Sequence, residues 1–134
     1  FREAVRIEPK RVKYLNNLGV ALALKGSYAE AIENLEKALK IDPSDADAHN
    51  NLGLVFKKQG DWNAAMQHFS GALALDPRNP AALNNRGVIL MDNGQLEVAR
   101  KHFARALEIS PAYEEARINL EEVDKRIREG TQSD

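Results

Sequence analysis

The 134-residue chain repeats itself every 34 residues. Pro9, Pro43, Pro77 and Pro111 keep that step, as do Gly19, Gly53 and Gly87, and again Gly26, Gly60 and Gly94. Ala31, Ala65 and Ala99 follow it, together with the pairs Ala38-Leu39, Ala72-Leu73 and Ala106-Leu107. Such a period constrains the fold more than any composition does. A unit this small cannot bury its own apolar face and must stack on the next. Three complete units follow, 12–45, 46–79 and 80–113.

Each unit reads as two helices. In the first, Tyr14, Leu15, Leu18, Ala21 and Leu22 recur at helical spacing along one face. Gly26 ends that helix, since the residue just past a helix often takes a left-handed conformation that glycine adopts cheaply. Ser27, and Asp61 one unit later, offer an N-cap oxygen to a second helix. That helix carries Tyr28, Ala31, Ile32, Leu35, Ala38 and Leu39 on one face. Pro43 closes the unit because it cannot continue a helix. Asn79-Pro80 reads as an N-cap followed by a proline suited to the first helical position. Gly19, Gly53 and Gly87 fall inside helices, where glycine costs about 1 kcal/mol against alanine. The expectation is a close helix–helix approach with Ala31, Ala65 and Ala99 as the matching small residues. Gly71, inside a second helix, is expected to weaken unit two.

Both ends carry information. Phe1 aligns with Leu35, Ala4 with Ala38 and Pro9 with Pro43, so residues 1–11 read as a partial upstream repeat of a longer protein. Phe1, Ala4 and Val5 lack the first helix of their own hairpin, and a weak homodimer through this N-terminal end is expected. Residues 114–129 begin as a fourth first helix, but Glu121 stands where the contact glycine stood. Ala116, Leu120, Val123 and Ile127 form one apolar stripe on an otherwise charged helix, as a capping helix requires. The polar residues 130–134 read as a flexible tail.

Composition excludes several classes of function. With 29% charged and 43% hydrophobic residues the chain favours a folded state. A net charge of −1 gives no sequence-wide field for nucleic acid or an anionic membrane. No run approaches the ~18–20 apolar residues of a membrane helix. The absence of cysteine removes disulfides and thiolate metal sites and fixes no compartment, the cytoplasm being the working expectation. His68 and His102 occupy equivalent positions, but stacked helices ~8–10 Å apart separate two imidazoles too far to share an ion. Every periodic glycine has a packing or capping reason, which leaves no phosphate-binding loop. Glu114-Glu115 and Glu121-Glu122 fall on the polar face of the cap. No catalytic set and no cofactor are expected.

The units resemble the tetratricopeptide repeat (TPR) family, whose signature is a 34-residue helix–turn–helix. Unit one offers Leu15, Leu18-Gly19, Leu22, Ala31, Leu35, Ala38 and Pro43 at the signature positions, and unit two His49, Leu52-Gly53, Phe56, Ala65, Phe69, Ala72 and Pro77. Unit three offers Leu83, Arg86-Gly87, Leu90, Ala99, Phe103, Ala106 and Pro111. His49 takes a slot that the family fills with a bulky apolar residue, and Arg86 replaces the usual leucine. Arg86 is expected to run its stem over apolar surface and place its head in solvent. The resemblance implies an all-α, right-handed TPR solenoid: three repeats, a partial N-terminal helix and a C-terminal cap, spanning 1–129.

The resemblance also implies that first helices line a concave groove. Its inward positions hold Lys13, Asn16, Asn17, Val20 and Ala23 in unit one, and Asp47, Asn50, Asn51, Leu54 and Lys57 in unit two. Ala81, Asn84, Asn85, Val88 and Met91 follow in unit three, and Asn119 in the cap. An asparagine carries a donor and an acceptor, the complement of a peptide group. Successive asparagines ~8–10 Å apart match every second or third residue of an extended chain. Asn17, Asn51 and Asn85 would hold a peptide by its main chain, and Asn16, Asn50 and Asn84 are weaker candidates for contact. The other reading is hydrogen bonding between helices. Val20, Leu54 and Val88 would add an apolar track. Members of the family that grip the C-terminal carboxylate of heat-shock proteins use Lys and Asn, then Asn, then Lys and Arg. Those slots here hold Asn16, Val20, Asn51, Ala81 and Asn85, which supply no cation for a carboxylate. The expected function is a non-catalytic scaffold binding a peptide or helical segment of another protein. The rivals are a self-associating module and a substrate-presenting appendage of an enzyme such as a glycosyltransferase.

Overall fold

A computed structural model describes the backbone of residues 2–133 and the side chains of residues 9–130. Among them there are seven helices and no strand: α1 (Arg2–Leu24), α2 (Tyr28–Ile41), α3 (Ala46–Lys58), α4 (Trp62–Leu75), α5 (Pro80–Asp92), α6 (Leu96–Ile109) and α7 (Glu114–Ser133). They form two compact units, residues 1–75 and 76–134. In the first, α1 pairs with α2 and α3 with α4, and α2 packs on α3. In the second, α5 pairs with α6, and α7 packs on α6 and on α5. Phe1, Ala4 and Val5, on which the expected self-association rests, lie outside the described side chains.

The turns follow from their residues. Gly26, Gly60 and Gly94 take φ of 85°, 81° and 84°, and no other described residue has a positive φ. That conformation lets the Ser27, Asp61 and Gln95 amides donate back to the Leu22, Phe56 and Leu90 carbonyls, closing each helix end. Asp61 Oδ1 caps α4 by accepting from the Ala64 amide at 3.2 Å. Ser27 stands at the N-cap of α2 but makes no side-chain cap bond, contrary to expectation. Asn79 Oδ1 accepts from the Ala82 amide at 3.1 Å with Pro80 opening α5.

Three differences from the sequence reading concern helix ends and faces. Pro9 lies inside α1, and no break separates residues 1–11 from unit one. At the next two junctions Asp42 accepts from the Ser44 amide and Asp76 from the Arg78 amide, after which Asp45 and Asn79 cap the next helix. The Ser110-Pro111 junction turns without them, the Tyr113 amide donating to the Ser110 carbonyl. Glu8-Pro9-Lys10-Arg11 stays helical, with good helix formers on both sides of the proline. At the other end α7 continues to Ser133, so residues 130–133 are helical where a loose tail was expected. Pairs Arg117–Glu121, Arg126–Glu122 and Lys125–Glu129 support α7, and Gly130 takes no left-handed turn. Tyr14, assigned to the apolar stripe of α1, is 63% exposed; Val12 and Leu15 hold the core there with Ala38 and Ala48.

The periodic glycines serve a different contact from the one expected. A β-carbon at Gly19 would lie 2.6 Å from Leu35, at Gly53 2.5 Å from Phe69, and at Gly87 2.7 Å from Phe103. The helices approach as small against large. Leu35, Phe69 and Phe103 are fully buried by lying over these glycines, and Ala31, Ala65 and Ala99 are buried beside them. Gly71 likewise leaves room for the ring of His49, whose Nδ1 lies 3.3 Å from where its β-carbon would stand.

Candidate functional site

In the first unit α1 and α3 carry Lys13, Asn16, Asn17, Asp47 and Asn51 onto one groove of about 680 Å³, with Asp42 and Asp45 from the turn between α2 and α3. Pro9, Val12 and Ile41 supply its apolar wall. A second, smaller groove of about 130 Å³ is lined by Val20, Ala23, Leu24 and Leu35 with Leu54, Val55 and Lys58. Asn51 borders both. Val20 is 40% and Leu24 75% exposed, an apolar edge beside the polar groove.

In unit one the two asparagines of the doublet have separate roles. Asn17 is exposed and Asn51 half-buried, both on the larger groove. Asn16 is buried, and its Nδ2 donates to Asp45 Oδ2 at 2.6 Å. Asp45 Oδ1 meanwhile accepts from the Asp47 and Ala48 amides at the start of α3. Asn16 thus fastens α1 to the cap of α3. The acceptor carboxylate fixes which way the amide points, and Asn16 Oδ1 is left buried without a partner. An unmet acceptor of this kind costs about 1–3 kcal/mol.

Asn84 repeats this role in the second unit. It is 2% exposed, its Oδ1 accepts from Asn119 Nδ2 at 2.9 Å, and it bonds the Tyr113 side chain. Burial is the main cause that raises the Tyr113 pKa, helped by Glu115, while the bond to Asn84 opposes it. Asn16 and Asn84 meet a polar residue at the same distance along the chain, the one just before the next first helix. That offset was the signal available for their structural role. Asn50 and Asn85 are buried, and Val88 is half-buried. Lys57 is half-buried and lines neither groove of the first unit; its neighbour Lys58 does. Asn119, expected on the ligand face, is engaged with Asn84.

The groove is more acidic than the sequence suggested. Asp42, Asp45 and Asp47 face it against Lys13 alone. Two of those carboxylates come from the turn before α3, which the inward positions of first helices do not include.

His68 and His102 lie on the second helices α4 and α6, and each has a partner on the first helix of its hairpin. His68 Nδ1 lies 3.2 Å from His49 Nδ1, and its ring stacks on Phe56 at 5.5 Å. Burial, and then His49, lower its pKa, while Glu36 opposes them. His102 Nε2 meets Arg86 Nη1 at 3.0 Å and its Nδ1 meets the Val98 carbonyl at 2.9 Å. The Arg86 head, expected in solvent, is held against His102 with Nε buried and unpartnered. A neutral imidazole gives that guanidinium an acceptor, which is why the long side chain folds back. Among the described residues no three His, Cys, Asp or Glu side chains converge on a metal position. No helix among them is long and apolar enough to cross a membrane.

Three helical hairpins and a seventh helix among the described residues, on a 34-residue period, define a helical-repeat protein, and the chain belongs to the tetratricopeptide repeat family. The family model described as "TPR repeat" matches residues 21–60, and the one described as "Tetratricopeptide repeat" matches residues 50–114. Compared by sequence with curated proteins, the chain matches none. Among solved structures it is similar to PilF of Pseudomonas aeruginosa, with 31% identity and a TM-score of 0.84. That match covers 93% of this chain and 57% of PilF. It is similar also to the first TPR domain of human RPAP3, with 25% identity, a TM-score of 0.84, and coverage of 94% and 99%. The first TPR of Spaghetti (RPAP3), solved bound to the HSP90 peptide SRMEEVD, matches at 24% identity and a TM-score of 0.81, covering 89% and 94%.

Proposed function

We propose that the chain is a protein-interaction scaffold and that the groove of its first unit holds an extended segment of a partner by the partner's main chain. The observation that carries this reading is the placing of Asn17 and Asn51 on one groove, neither of them used as Asn16 is used. Each amide offers both halves of a peptide pairing. A TPR domain of similar fold is solved with a peptide bound, which supports a peptide as the class of ligand. The acidic tail of that peptide is not the ligand proposed here. The carboxylates of this groove would repel it, and the clamp positions hold Asn16, Val20, Asn51, Ala81 and Asn85.

The test uses peptides selected against the 134-residue chain from a random display library. Asn51→Ala weakens a selected peptide by about 1–3 kcal/mol with little change in melting temperature. If the substitution unfolds the domain and leaves the remaining folded fraction with full affinity, Asn51 is a structural residue and the reading fails. Light scattering at several concentrations separates the scaffold from a self-associating module, since a peptide-binding scaffold remains monomeric as concentration rises.

A further inference from the structure

The two grooves of the first unit differ in chemistry and share a border residue. On one side of Asn51 the wall carries Asp42, Asp45 and Asp47 against the single ammonium of Lys13. On the other side the wall is apolar, with Val20, Leu24 and Leu54 around about 130 Å³. A main chain held at Asn51 places neighbouring side chains, which alternate in direction along an extended strand, within reach of both.

The acidic wall has a second feature that points to a donor. Asn16 is 9% exposed, and its amide is oriented by donating to Asp45, so its Oδ1 is an acceptor that nothing in the fold meets. Three carboxylates against one ammonium leave the groove net acidic, and the ligand group that answers them is a cation rich in N–H. The net charge of the whole chain is −1, so this preference is a property of the groove rather than of the molecule.

We propose that the first unit reads a basic residue and an aliphatic residue on one extended segment of a partner protein. A Lys or Arg head enters the groove walled by Asp42, Asp45, Asp47 and Asn16, an aliphatic side chain enters the groove of Val20, Leu24 and Leu54, and Asn51 holds the main chain between them. This specificity rests on the peptide-binding reading above. Asp47 is the exposed carboxylate that recruits the cation, and Asp42 stands beside it. Asp45 is already engaged at the cap of α3 and serves as a fixed charge.

The experiment titrates the 134-residue chain with fluorescein-labelled, end-blocked peptides in which a Lys and a Leu are separated by one to four alanines. Matched sets carry Glu in place of Lys, or Ser in place of Leu. The best Lys–Leu peptide should bind at least about tenfold more tightly than its Glu and Ser counterparts. The double substitution Asp42→Asn with Asp47→Asn keeps both side-chain shapes and the acceptor oxygen that Asp42 gives the Ser44 amide. It should erase most of the preference for Lys over Glu, roughly five- to tenfold, and leave the preference for Leu over Ser. Circular-dichroism melts of the variant establish that it is folded. Equal binding of Lys and Glu peptides, both weakened by Asn51→Ala, overturns the basic-residue specificity while the main-chain reading stands. Absence of binding by every set overturns both.

Discussion

Gly53 shows how one missing methyl group sets the hairpin. Its absence lets the ring of Phe69 lie where a β-carbon would stand at 2.5 Å. Alanine there gains about 1 kcal/mol of helix propensity and loses more by displacing a fully buried ring. Gly53→Ala therefore lowers stability by about 1–3 kcal/mol, read as a drop in midpoint on urea unfolding. At Asn84 the argument runs through hydrogen bonds. Asn84→Ala removes the buried acceptor of the Asn119 amide and one of two partners of the half-buried Tyr113 hydroxyl, at a cost of about 1–3 kcal/mol. Asn17→Ala, on an exposed asparagine, leaves the midpoint within about 0.5 kcal/mol and acts on peptide affinity alone. The three substitutions, measured side by side, separate a packing glycine, a fastening asparagine and the asparagine proposed to bind. An equal loss of stability at Asn17 and Asn84 would remove that distinction.

At the scale of the element, the α3–α4 hairpin brings two histidines together. His49 and His68 face each other through Nδ1 at 3.2 Å, so one ring must accept from the other and at most one of these nitrogens carries a proton without repulsion. Glu36 of α2 is the opposing charge near His68, and it does not outweigh burial and His49. The folded pKa of His68 lies below its unfolded value of about 6.5, so the unfolded chain binds the proton more readily. Stability is then fully present above about pH 6.5 and is lost as pH falls through the depressed folded value. His102, lowered by burial and by Arg86, adds a contribution of the same sign in the second unit. The melting temperature should fall between pH 7.5 and 5.5, and His68→Gln should reduce that fall. An NMR titration of the His68 ring with a midpoint at or above 6.5 would show the assignment to be wrong. For α7, Val123→Asp places an unpaired charge at a fully buried point of its contact with the preceding hairpin. Helicity by far-UV circular dichroism should drop and amides of 114–130 should lose hydrogen-exchange protection.

For the molecule as a whole, a net charge of −1 hides a local concentration of carboxylates. Raising salt from about 15 mM to 150 mM shortens the screening length from roughly 25 Å to 8 Å. Binding of a Lys-bearing peptide should therefore weaken a few-fold, and binding of an uncharged counterpart should not change. Equal salt dependence for both would place the charge effect outside the groove. Local rules written in the 34-residue period determined most of the fold: which residues are helical, that Gly26, Gly60 and Gly94 turn left-handed, and that Asn79-Pro80 opens a helix. Those rules act within a few residues and survive any tertiary context. The same rules missed the helix through Pro9, because a proline at a repeat position does not by itself fix a helix boundary. Tertiary structure alone decided that Leu35, Phe69 and Phe103 fill the space over the glycines, since a period shows equivalence between units and not which side chains meet. It also decided that His68 finds His49 and that Arg86 folds onto His102. Above all, it divided the asparagine doublet of unit one. Adjacent residues on a helix point about 100° apart, so Asn16 reaches Asp45 at the start of α3 while Asn17 stays exposed on the groove. Which of the two does which depends on where α3 lies, and no pattern within α1 specifies that.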